Sequence, residues 1–328
     1  MTGLVWRPVY AYDCKNIRVG FFLTMYEARA PYLRRMNAAE LILNPDGSIY
    51  HLALHPEQIA DLIILVGDPD RVTRVSRHFD RIECRVQKRE FVTHTGYLGS
   101  RRLSVLSTGI GTDNIDIALN ELDALHNIDF ATRALRLRPA SLRIIRVGTC
   151  GGLQSEPEPG DIVVSEAAFG FDGLMRYYRA PDQHRSPELH AWHTHAAHLQ
   201  PFPIAPYFAR ASARLLSEFE GFGRKGFTAT QAGFYGPQGR VLRAPTMAPD
   251  YLDTMAAYAF EDRRILNLEM ETAGIYGLAQ MLGHEALSLS VILANRPRGL
   301  FSKDPGGAID RLISQVLSKI NLEAFGVA

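Results

Sequence analysis

Glu269 and Glu271 flank a methionine just before a run of small and apolar residues that favours a helix. Because side chains alternate between the two faces of a strand, one glutamate at a strand end can face a pocket while the other braces the backbone. A carboxylate in a pocket can accept hydrogen bonds from both hydroxyls of a vicinal diol, which makes it a natural ribose ligand. The alternative is a solvated acidic pair before a helix, so neighbouring motifs must decide between the two.

Three arginines could together bind an anion. Arg71 ends a turn at residues 67–71 (GDPDR) that directly follows an apolar run, and Arg89 follows a short basic stretch. Arg146 interrupts an apolar strand, and a guanidinium in such a place needs an anion or a carboxylate beside it. Backbone amides at the glycine turn would add donors for the same anion. For Arg71 the alternative is a turn with a surface salt bridge.

A glycine-rich segment at residues 234–240 (FYGPQGR) presents groups that suit a heterocyclic base. The amide of Gln238 offers one acceptor and two donors, which matches a ring edge that carries N–H beside a carbonyl, as uracil does. Arg240 can donate to a ring carbonyl and hold charge as a base leaves. Phe234 can stack on the face of the ring.

These motifs, in this order, resemble those of the nucleoside phosphorylase superfamily, and within it those of uridine phosphorylase. The five segments are residues 67–71, 89–91, 142–152, 234–240 and 269–271. The resemblance runs from about His51 to the C-terminus. Each motif alone is weak, but five in order and at family-like distances are specific.

The resemblance implies a set of site residues. The phosphate-binding positions of the family match Gly67, Arg71, Arg89, Arg146 and Thr149. The ribose-binding positions match His51, Met270 and Glu271, and the base-binding positions match Phe234, Gln238 and Arg240. The residues implied in catalysis are Glu271, Arg240 and Arg296. In that family the counterparts of His51 and Arg89 reach a neighbouring subunit's site, which implies a homodimer or a hexamer built from dimers.

The implied reaction converts uridine and phosphate into uracil and ribose 1-phosphate, in pyrimidine salvage or catabolism. Phosphate is a substrate, and the resemblance implies neither a metal nor an organic cofactor. Purine-preferring relatives and hydrolytic nucleosidases usually have Ser-Asp where this chain has Asn295-Arg296, so it lacks the acid that protonates a purine. A purine nucleoside phosphorylase or a nucleosidase is the enzymatic alternative. The other hypothesis is a nucleoside-binding protein without turnover, because Gly236-Pro237 and Thr112 depart from the family pattern.

Composition limits the other classes of function. With 328 residues, 46% hydrophobic and 22% charged, the chain is long enough for one large globular α/β domain. A net charge of +1 gives no argument for a nucleic-acid or membrane partner, and no apolar run reaches the ~20 residues of a membrane span. The three widely spaced cysteines indicate a reduced, cytoplasmic compartment rather than a disulfide framework.

The elements that position these motifs alternate between strand and helix from Ile59 onward. This alternation predicts a single α/β domain with a central mixed sheet flanked by helices on both faces, and the resemblance implies that the sheet is partly barrel-like. Strands are expected at 63–66, 103–107, 142–147, 161–165 and 288–293, and helices at 114–126, 271–282 and 308–320. Asp113 is expected to cap the first of these helices, and Gly283 to end the second.

Two segments fit the resemblance poorly. Residues 1–47 are assigned to an N-terminal extension of unknown role, and residues 48–328 to the catalytic domain. Residues 169–206 contain five prolines and five histidines, and we expect a solvated irregular excursion or an interface there. The alternative is a zinc site at these histidines, with help from Asp182 or Glu188.

Overall fold

The computed structural model describes residues 35–199 and 205–322. Its strands are β1 (Leu62–Val66), β2 (Arg81–Lys88), β3 (Phe91–Leu98), β4 (Arg101–Ser107), β5 (Ile128–Asp129), β6 (Ala134–Leu135), β7 (Arg143–Gly152), β8 (Ile162–Gly170), β9 (Tyr207–Arg210), β10 (Arg224–Thr230), β11 (Ala259–Phe260), β12 (Arg263–Glu269), β13 (Glu285–Asn295) and β14 (Leu300–Phe301). The α-helices are α1 (Pro69–Ser76), α2 (Thr112–Asn127), α3 (Pro187–His195), α4 (Ala213–Glu218), α5 (Tyr251–Ala257), α6 (Thr272–Leu282) and α7 (Pro305–Asn321). Short 3-10 helices lie at Pro56–Gln58, Leu174–Tyr177, Pro181–His184, Ala197–Leu199 and Gly236–Gln238.

Twelve of the described strands form one sheet of mixed direction. Five of them, in the order β7, β13, β8, β10 and β12, close into a barrel because β12 also pairs with β7. From β7 the sheet continues through β1, β4 and β3 to an edge at β2, with parallel pairing around β1 and antiparallel pairing from β4 to β2. Helices surround the sheet, and the predicted fold class, a partly barrel-like mixed sheet in a single α/β domain, is confirmed.

Apolar runs form the central strands, as predicted. All five residues of β1 are buried, because the strand is covered on both faces. The edge strand β2 instead alternates between exposed and half-buried positions along its whole length. Strands β2, β3, β9 and β10 are not predicted from the sequence, because they contain polar residues and lack a clear apolar run. They form because they pair with a neighbouring strand.

Each predicted strand and helix is present, and several are longer than predicted. Strands β7 and β13 pair in parallel from Arg143 and Glu285 to Gly152 and Asn295. The ladder therefore extends beyond the predicted strand at the C-terminal end of β7 and at both ends of β13. Helix α6 ends at Gly283, whose φ of 79° is the left-handed conformation expected there.

The predicted cap of α2 is wrong. Gly111 takes that position with a φ of 96°, which glycine adopts without strain, and Asp113 lies exposed in the first turn.

The part of the N-terminal extension that the structure describes packs on the domain. Arg35 forms a bridge with Ala134, and Leu41 is buried in the main core. Residues 1–34 lie outside the described residues, and the boundary at residue 47 stays a prediction. No helix in the described ranges is long and apolar enough to cross a membrane.

The histidine-rich segment is more ordered than predicted. Residues 187–195 form α3, whose Trp192 is 3% exposed and packs against Phe169, Phe171 and Tyr258 in a second apolar core. The expectation of an irregular excursion is therefore wrong for residues 187–195, because Leu189 and Trp192 between the histidines supply an apolar face. Residues 200–204 lie outside the described residues, and an interface at this segment stays a prediction.

Two of the histidines make side-chain contacts with Thr254. His195 Nε2 lies 2.9 Å from the carbonyl oxygen of Thr254, and His198 Nε2 lies 3.1 Å from the hydroxyl of the same residue. Across residues 35–199 and 205–322, no group of three His, Cys, Asp or Glu side chains could hold a metal ion. The described part of the chain therefore contains no set of ligands for the zinc site considered as the alternative.

Candidate active site

A cavity of about 850 Å³ opens where several strands of the sheet end. Gly67 follows β1, Thr149 lies near the end of β7, and Glu269 ends β12. Side chains at the carboxyl ends of parallel strands meet at one edge of a sheet, which is where α/β folds place their ligands. Nine of the predicted site residues line this cavity: Gly67, Arg71, Arg146, Thr149, Phe234, Gln238, Arg240, Met270 and Glu271.

A buried ion-pair network forms the floor of the cavity. The Nη2 atom of Arg146 is paired with Glu271 and lies 3.2 Å from Glu269 Oε2, and all three side chains are at most 7% exposed. The Nη1 atom of Arg146 donates to Ser290 Oγ at 3.2 Å. Burial opposes the charge of Arg146, but the two glutamates outweigh it and raise the pKa of the guanidinium. Burial raises the pKa of Glu271, and Arg146 offsets part of that increase.

A glycine makes room for this network. The guanidinium of Arg146 folds back over Gly148, so a Cβ atom there would lie 1.7 Å from Arg146 Nη1. No side chain can come that close to a guanidinium without displacing it. The Arg-x-Gly spacing in β7 is therefore required by the position of the arginine.

The two glutamates have different tasks, as the alternation of strand side chains predicts. Glu269 accepts hydrogen bonds from the backbone amides of Glu271 and Thr272 and from the hydroxyl of Thr230, at 2.6–3.1 Å. It thus braces the N-terminus of α6, whose amides have no partner within the helix. Glu271 instead turns towards the cavity, where the backbone amide of Gly111 donates to its Oε1 atom at 2.9 Å.

Arg71 in the first turn of α1 contributes a second buried guanidinium. Its Nη1 atom donates to the carbonyl oxygen of Val147 at 3.2 Å, but its Nε atom is buried without a partner among the described residues. Burial, and then the nearby charge of Arg146, lowers the pKa of Arg71 to about 10, which leaves it charged at neutral pH. An unpaired buried N–H is costly, so an anion beside it would be stabilised.

Next to Thr149, the thiol of Cys150 is buried and poorly suited to act as a nucleophile. It is 7% exposed, and its sulfur lies 3.6 Å from the carbonyl oxygen of Val291. Burial raises the pKa of Cys150 to about 12, so the thiol stays protonated at neutral pH. Cys150 therefore contributes to the cavity wall by packing and not by its chemistry.

The base positions form the opposite wall of the cavity. Arg240 donates to the side-chain oxygen of Gln238 and to the carbonyl oxygen of Phe234, both at 2.6 Å, and its guanidinium stacks 3.8 Å from the centre of the Phe234 ring. Gln238 is 3% exposed, whereas Phe234 is 51% exposed at the cavity mouth. Burial, followed by the charge of Arg296, lowers the pKa of Arg240 to about 10.

Arg296 lies behind this wall rather than in the cavity lining. Its backbone amide donates to the carbonyl oxygen of Gly152 at 3.0 Å, and its Nη1 atom is buried without a partner among the described residues. Burial lowers the pKa of Arg296. Two guanidiniums thus lie close together on the base side.

Asn295, which precedes Arg296 in the pair that stands in place of Ser-Asp, is committed to the fold. Its side-chain nitrogen donates to the carbonyl oxygens of Gln154, Ser155 and Pro157, and its side-chain oxygen accepts from the amide of Arg298. The residue is 0% exposed. Asn295 therefore braces the loop after β7 and is closed to a ligand.

His51 and Arg89 do not line the cavity of their own chain. His51 Nδ1 lies 2.7 Å from Glu121 Oε1, and the same carboxylate accepts from the backbone amides of His51 and Leu52. Arg89 is exposed in the turn between β2 and β3, with a φ of 55°. A left-handed conformation is unfavourable for arginine, so Arg89 does not stabilise this turn through its backbone.

Several cavity residues escape sequence reasoning. Ile110 and Phe301 are 68% and 65% exposed at the cavity, although exposed large apolar side chains are scattered elsewhere too. Asp68, Glu90 and Asn114 also line it. Asp68 and Glu90 lie within the predicted motifs at 67–71 and 89–91, and that position is the signal that could have identified them.

The residues that line the cavity carry more carboxylates than guanidiniums, so their net charge does not favour an anion. Four carboxylates, from Asp68, Glu90, Glu269 and Glu271, face three guanidiniums, from Arg71, Arg146 and Arg240. A dianion therefore depends on local donors and on any further cation that reaches the cavity.

Comparisons with known proteins place these features in a family. The family model described as phosphorylase superfamily matches residues 61–308. A uridine phosphorylase of Thermococcus kodakarensis is 29% identical over 272 residues, which cover 81% of this chain and 84% of that protein. A DeoD-type purine nucleoside phosphorylase of Alkaliphilus metalliredigens is 29% identical over 244 residues, covering 74% and 85%.

A solved structure gives the same result. The nucleoside phosphorylase of Trypanosoma brucei, described as showing uridine phosphorylase activity, superposes with a TM-score of 0.77 at 27% identity. The match covers 87% of this chain and 100% of that one. The predicted resemblance to nucleoside phosphorylases, and to uridine phosphorylase among them, is confirmed, and with it the expected pentosyltransferase class.

Proposed function

Because this chain belongs to the phosphorylase superfamily, we propose that it cleaves uridine with inorganic phosphate, giving uracil and ribose 1-phosphate. The glycosidic C–N bond breaks, a C–O bond to phosphate forms, and the bonding pair leaves with the base. The observation that carries the pyrimidine assignment is the base wall. It presents Gln238 and Arg240, and Arg296 lies behind them at the position where the resemblance places the aspartate of purine enzymes.

Phosphate would bind between Gly67, Arg71, Arg146 and Thr149. The unpartnered Nε atom of Arg71 supports this position, because a phosphate oxygen would supply its missing acceptor. The cavity is lined by more carboxylates than guanidiniums, so a dianion gains from one more cation. We propose that Arg89 of a neighbouring subunit is that cation.

The sugar would lie over Met270, with its 2′- and 3′-hydroxyls donating to Glu271. Arg146 and the amide of Gly111 hold this carboxylate in place. As the glycosidic bond weakens, positive charge develops on the sugar, and a fixed negative charge beside it lowers the barrier. In this scheme Glu271 and the bound phosphate share that task.

The base would stack on Phe234 and leave as an anion. Arg240 and Arg296 would stabilise it, and Gln238 would read the ring edge. In the structure the side-chain oxygen of Gln238 already accepts a hydrogen bond from Arg240. When the base binds, either Gln238 or Arg240 would exchange this bond for one to the base. The proposed chemistry uses these side chains and phosphate, with no metal or organic cofactor, in the cytoplasm.

One assay tests the proposal. Uridine, thymidine, inosine and 5′-methylthioadenosine are each incubated with the enzyme, with and without phosphate. We expect cleavage to require phosphate, and kcat/KM for uridine to exceed that for inosine at least tenfold, about 1.4 kcal/mol of discrimination. Equal product without phosphate would indicate a nucleosidase, and binding without any cleavage would indicate a nucleoside-binding protein.

A purine nucleoside phosphorylase is the second candidate. It is favoured by the similarity to the Alkaliphilus metalliredigens protein, whose identity of 29% equals that of the Thermococcus kodakarensis protein over a somewhat shorter match. A kcat/KM that favours inosine would establish this candidate and refute the pyrimidine assignment.

We also propose a homodimer, or a hexamer built from dimers, in which each subunit lends His51 and Arg89 to its neighbour. A two-fold axis lets each chain give what it receives. Mixing the inactive variants His51→Ala and Glu271→Ala should restore activity after subunit exchange, because one pocket of a mixed dimer carries both defects and the other carries neither. Light scattering that shows a fully active monomer would refute the shared site.

A further inference from the structure

A second cavity, of about 500 Å³, lies on the other side of the segment at residues 234–240. Phe234 and Gln238 line the candidate active site, whereas Tyr235, Gly236 and Pro237 line the second cavity. Arg240 lines both. The segment is therefore a wall between two cavities, and the second is within the range of size that small-molecule sites have.

The lining of the second cavity is aromatic and apolar with a cationic side. Phe171, Tyr235 and Tyr251 supply three aromatic rings, and no Asp or Glu is among the lining residues. Besides Arg240, the only other charged group is Arg243, which is exposed and makes no hydrogen bond or ion pair with any described residue. A lining of this kind favours a flat aromatic ligand that carries a negative charge.

A buried amide adds a polar contact deep in the cavity. Gln231 is 2% exposed, and its amide lies 3.3 Å from the hydroxyl of Tyr251 and 3.6 Å from the sulfur of Met255. The contacts with the Tyr251 hydroxyl are long for hydrogen bonds, and the thioether sulfur of Met255 is a weak acceptor. A buried amide with such weak partners can gain by bonding to a ligand oxygen or N–H.

We propose that this cavity is a second small-molecule site, for an aromatic carboxylate whose ring lies among the three aromatic side chains and whose charge meets Arg243 and Arg240. The site is coupled to the base wall. Arg240 donates to Gln238 and to the Phe234 carbonyl, so an anion that draws it away loosens both and slows nucleoside cleavage. Only this coupling rests on the proposed function, because binding itself requires no turnover.

Calorimetry of the whole protein with indole-3-carboxylate tests the site, and indole-3-carboxamide serves as a neutral ligand of the same shape. We expect the carboxylate to bind at least tenfold more tightly than the amide. Ala248→Trp fills the cavity from a residue outside the candidate active site, and Arg243→Glu reverses the exposed charge. Each variant should weaken carboxylate binding at least tenfold, and Ala248→Trp should retain nucleoside cleavage.

The contrary outcomes are distinct. If the carboxylate fails to bind wild-type protein, or binds both variants as tightly as wild type, the site is refuted. Displacement of the carboxylate by uridine, with no effect of Ala248→Trp, would place it in the nucleoside cavity and also refute the site. Undiminished cleavage at saturating carboxylate would refute the coupling, whereas absence of nucleoside cleavage in the untreated protein would refute the proposed function and leave the binding result standing.

Discussion

The two walls of the candidate active site are built in different ways. On the phosphate and ribose side, Arg146 lies within β7, Glu269 ends β12 and Glu271 precedes α6. All three are at most 7% exposed and bond to one another or to backbone amides. On the base side, Phe234, Gln238 and Arg240 lie on a loop between β10 and α5, and Phe234 is half exposed. A second cavity lies behind that loop, so residues 234–240 border a cavity on each side.

This difference separates the common chemistry from the choice of substrate. Groups fixed by the ends of several strands keep their geometry when a loop changes, since a packed core resists displacement. A loop can change length and sequence without disturbing them. We therefore expect substitutions on the phosphate side to abolish cleavage of every nucleoside, and substitutions on the base side to change which nucleoside is preferred.

The largest effect is expected for Arg146→Met. It removes a phosphate donor and leaves Glu269 and Glu271 buried without their partner, so kcat/KM should fall at least about a thousandfold and stability by about 3–5 kcal/mol. Arg143→Met is the matched control, because Arg143 lies on the same strand, half-buried, and pairs with Glu218 and Glu285 away from the cavity. Chemical denaturation and phosphorolysis rates measure both. Activity near wild type for Arg146→Met would show that the buried network is structural only.

Gly148→Ala tests the same wall with a single methyl group. The new Cβ must displace the Arg146 guanidinium, and a misplacement of about 1 Å can reduce the rate about a hundredfold. Gly152→Ala on the same strand is the control, because a Cβ there has no neighbour nearer than 3.4 Å. Steady-state kinetics with varied phosphate should show the loss only for Gly148→Ala. Equal kinetics for the two variants would mean that the position of Arg146 tolerates movement.

Arg89→Gly separates function from stability. Glycine adopts the positive φ of this turn without strain, so stability should stay unchanged or rise by up to about 1 kcal/mol. Loss of a charge-assisted phosphate bond, about 1.5–3 kcal/mol, should lower kcat/KM for phosphate about ten- to a hundredfold. Arg85→Ala, at an exposed position of the preceding strand β2, should change neither. Unchanged phosphate kinetics in Arg89→Gly would remove this residue from the site.

Gln238→Ala is expected to have the smallest effect on turnover and the clearest effect on selectivity. Without the amide, kcat/KM for uridine should fall about tenfold, or ~1.4 kcal/mol, and the KM for phosphate should not change. Gln280→Ala is the control, because that amide is exposed and donates to the carbonyl oxygen of Arg210. Competition between uridine and inosine measures the outcome. A parallel loss for both nucleosides would contradict the division of tasks between the two walls.

Local sequence was sufficient for much of the fold. The apolar run at 62–66, the apolar stripe of α2 and the glycine after α6 are signals within one element, and each is confirmed. The cap of α2 and the order of the histidine segment were predicted wrongly. In both cases the outcome depended on a contact with a distant element, namely Glu271 on the Gly111 amide and the aromatic core around Trp192.

The sequence by itself determined which residue types could bind a phosphate, a diol and a base, because spacing within a motif and hydrogen-bonding capacity are local properties. Nine of the predicted site residues line one cavity. Only the tertiary structure decided that Arg146 is paired with both glutamates, that Asn295 is closed to ligands, and that His51 and Arg89 lie outside their own chain's cavity. These facts depend on residues more than a hundred positions apart, or on a surface that faces away from the cavity. The closing of the barrel brings these residues together in space, and no local sequence pattern encodes that closing.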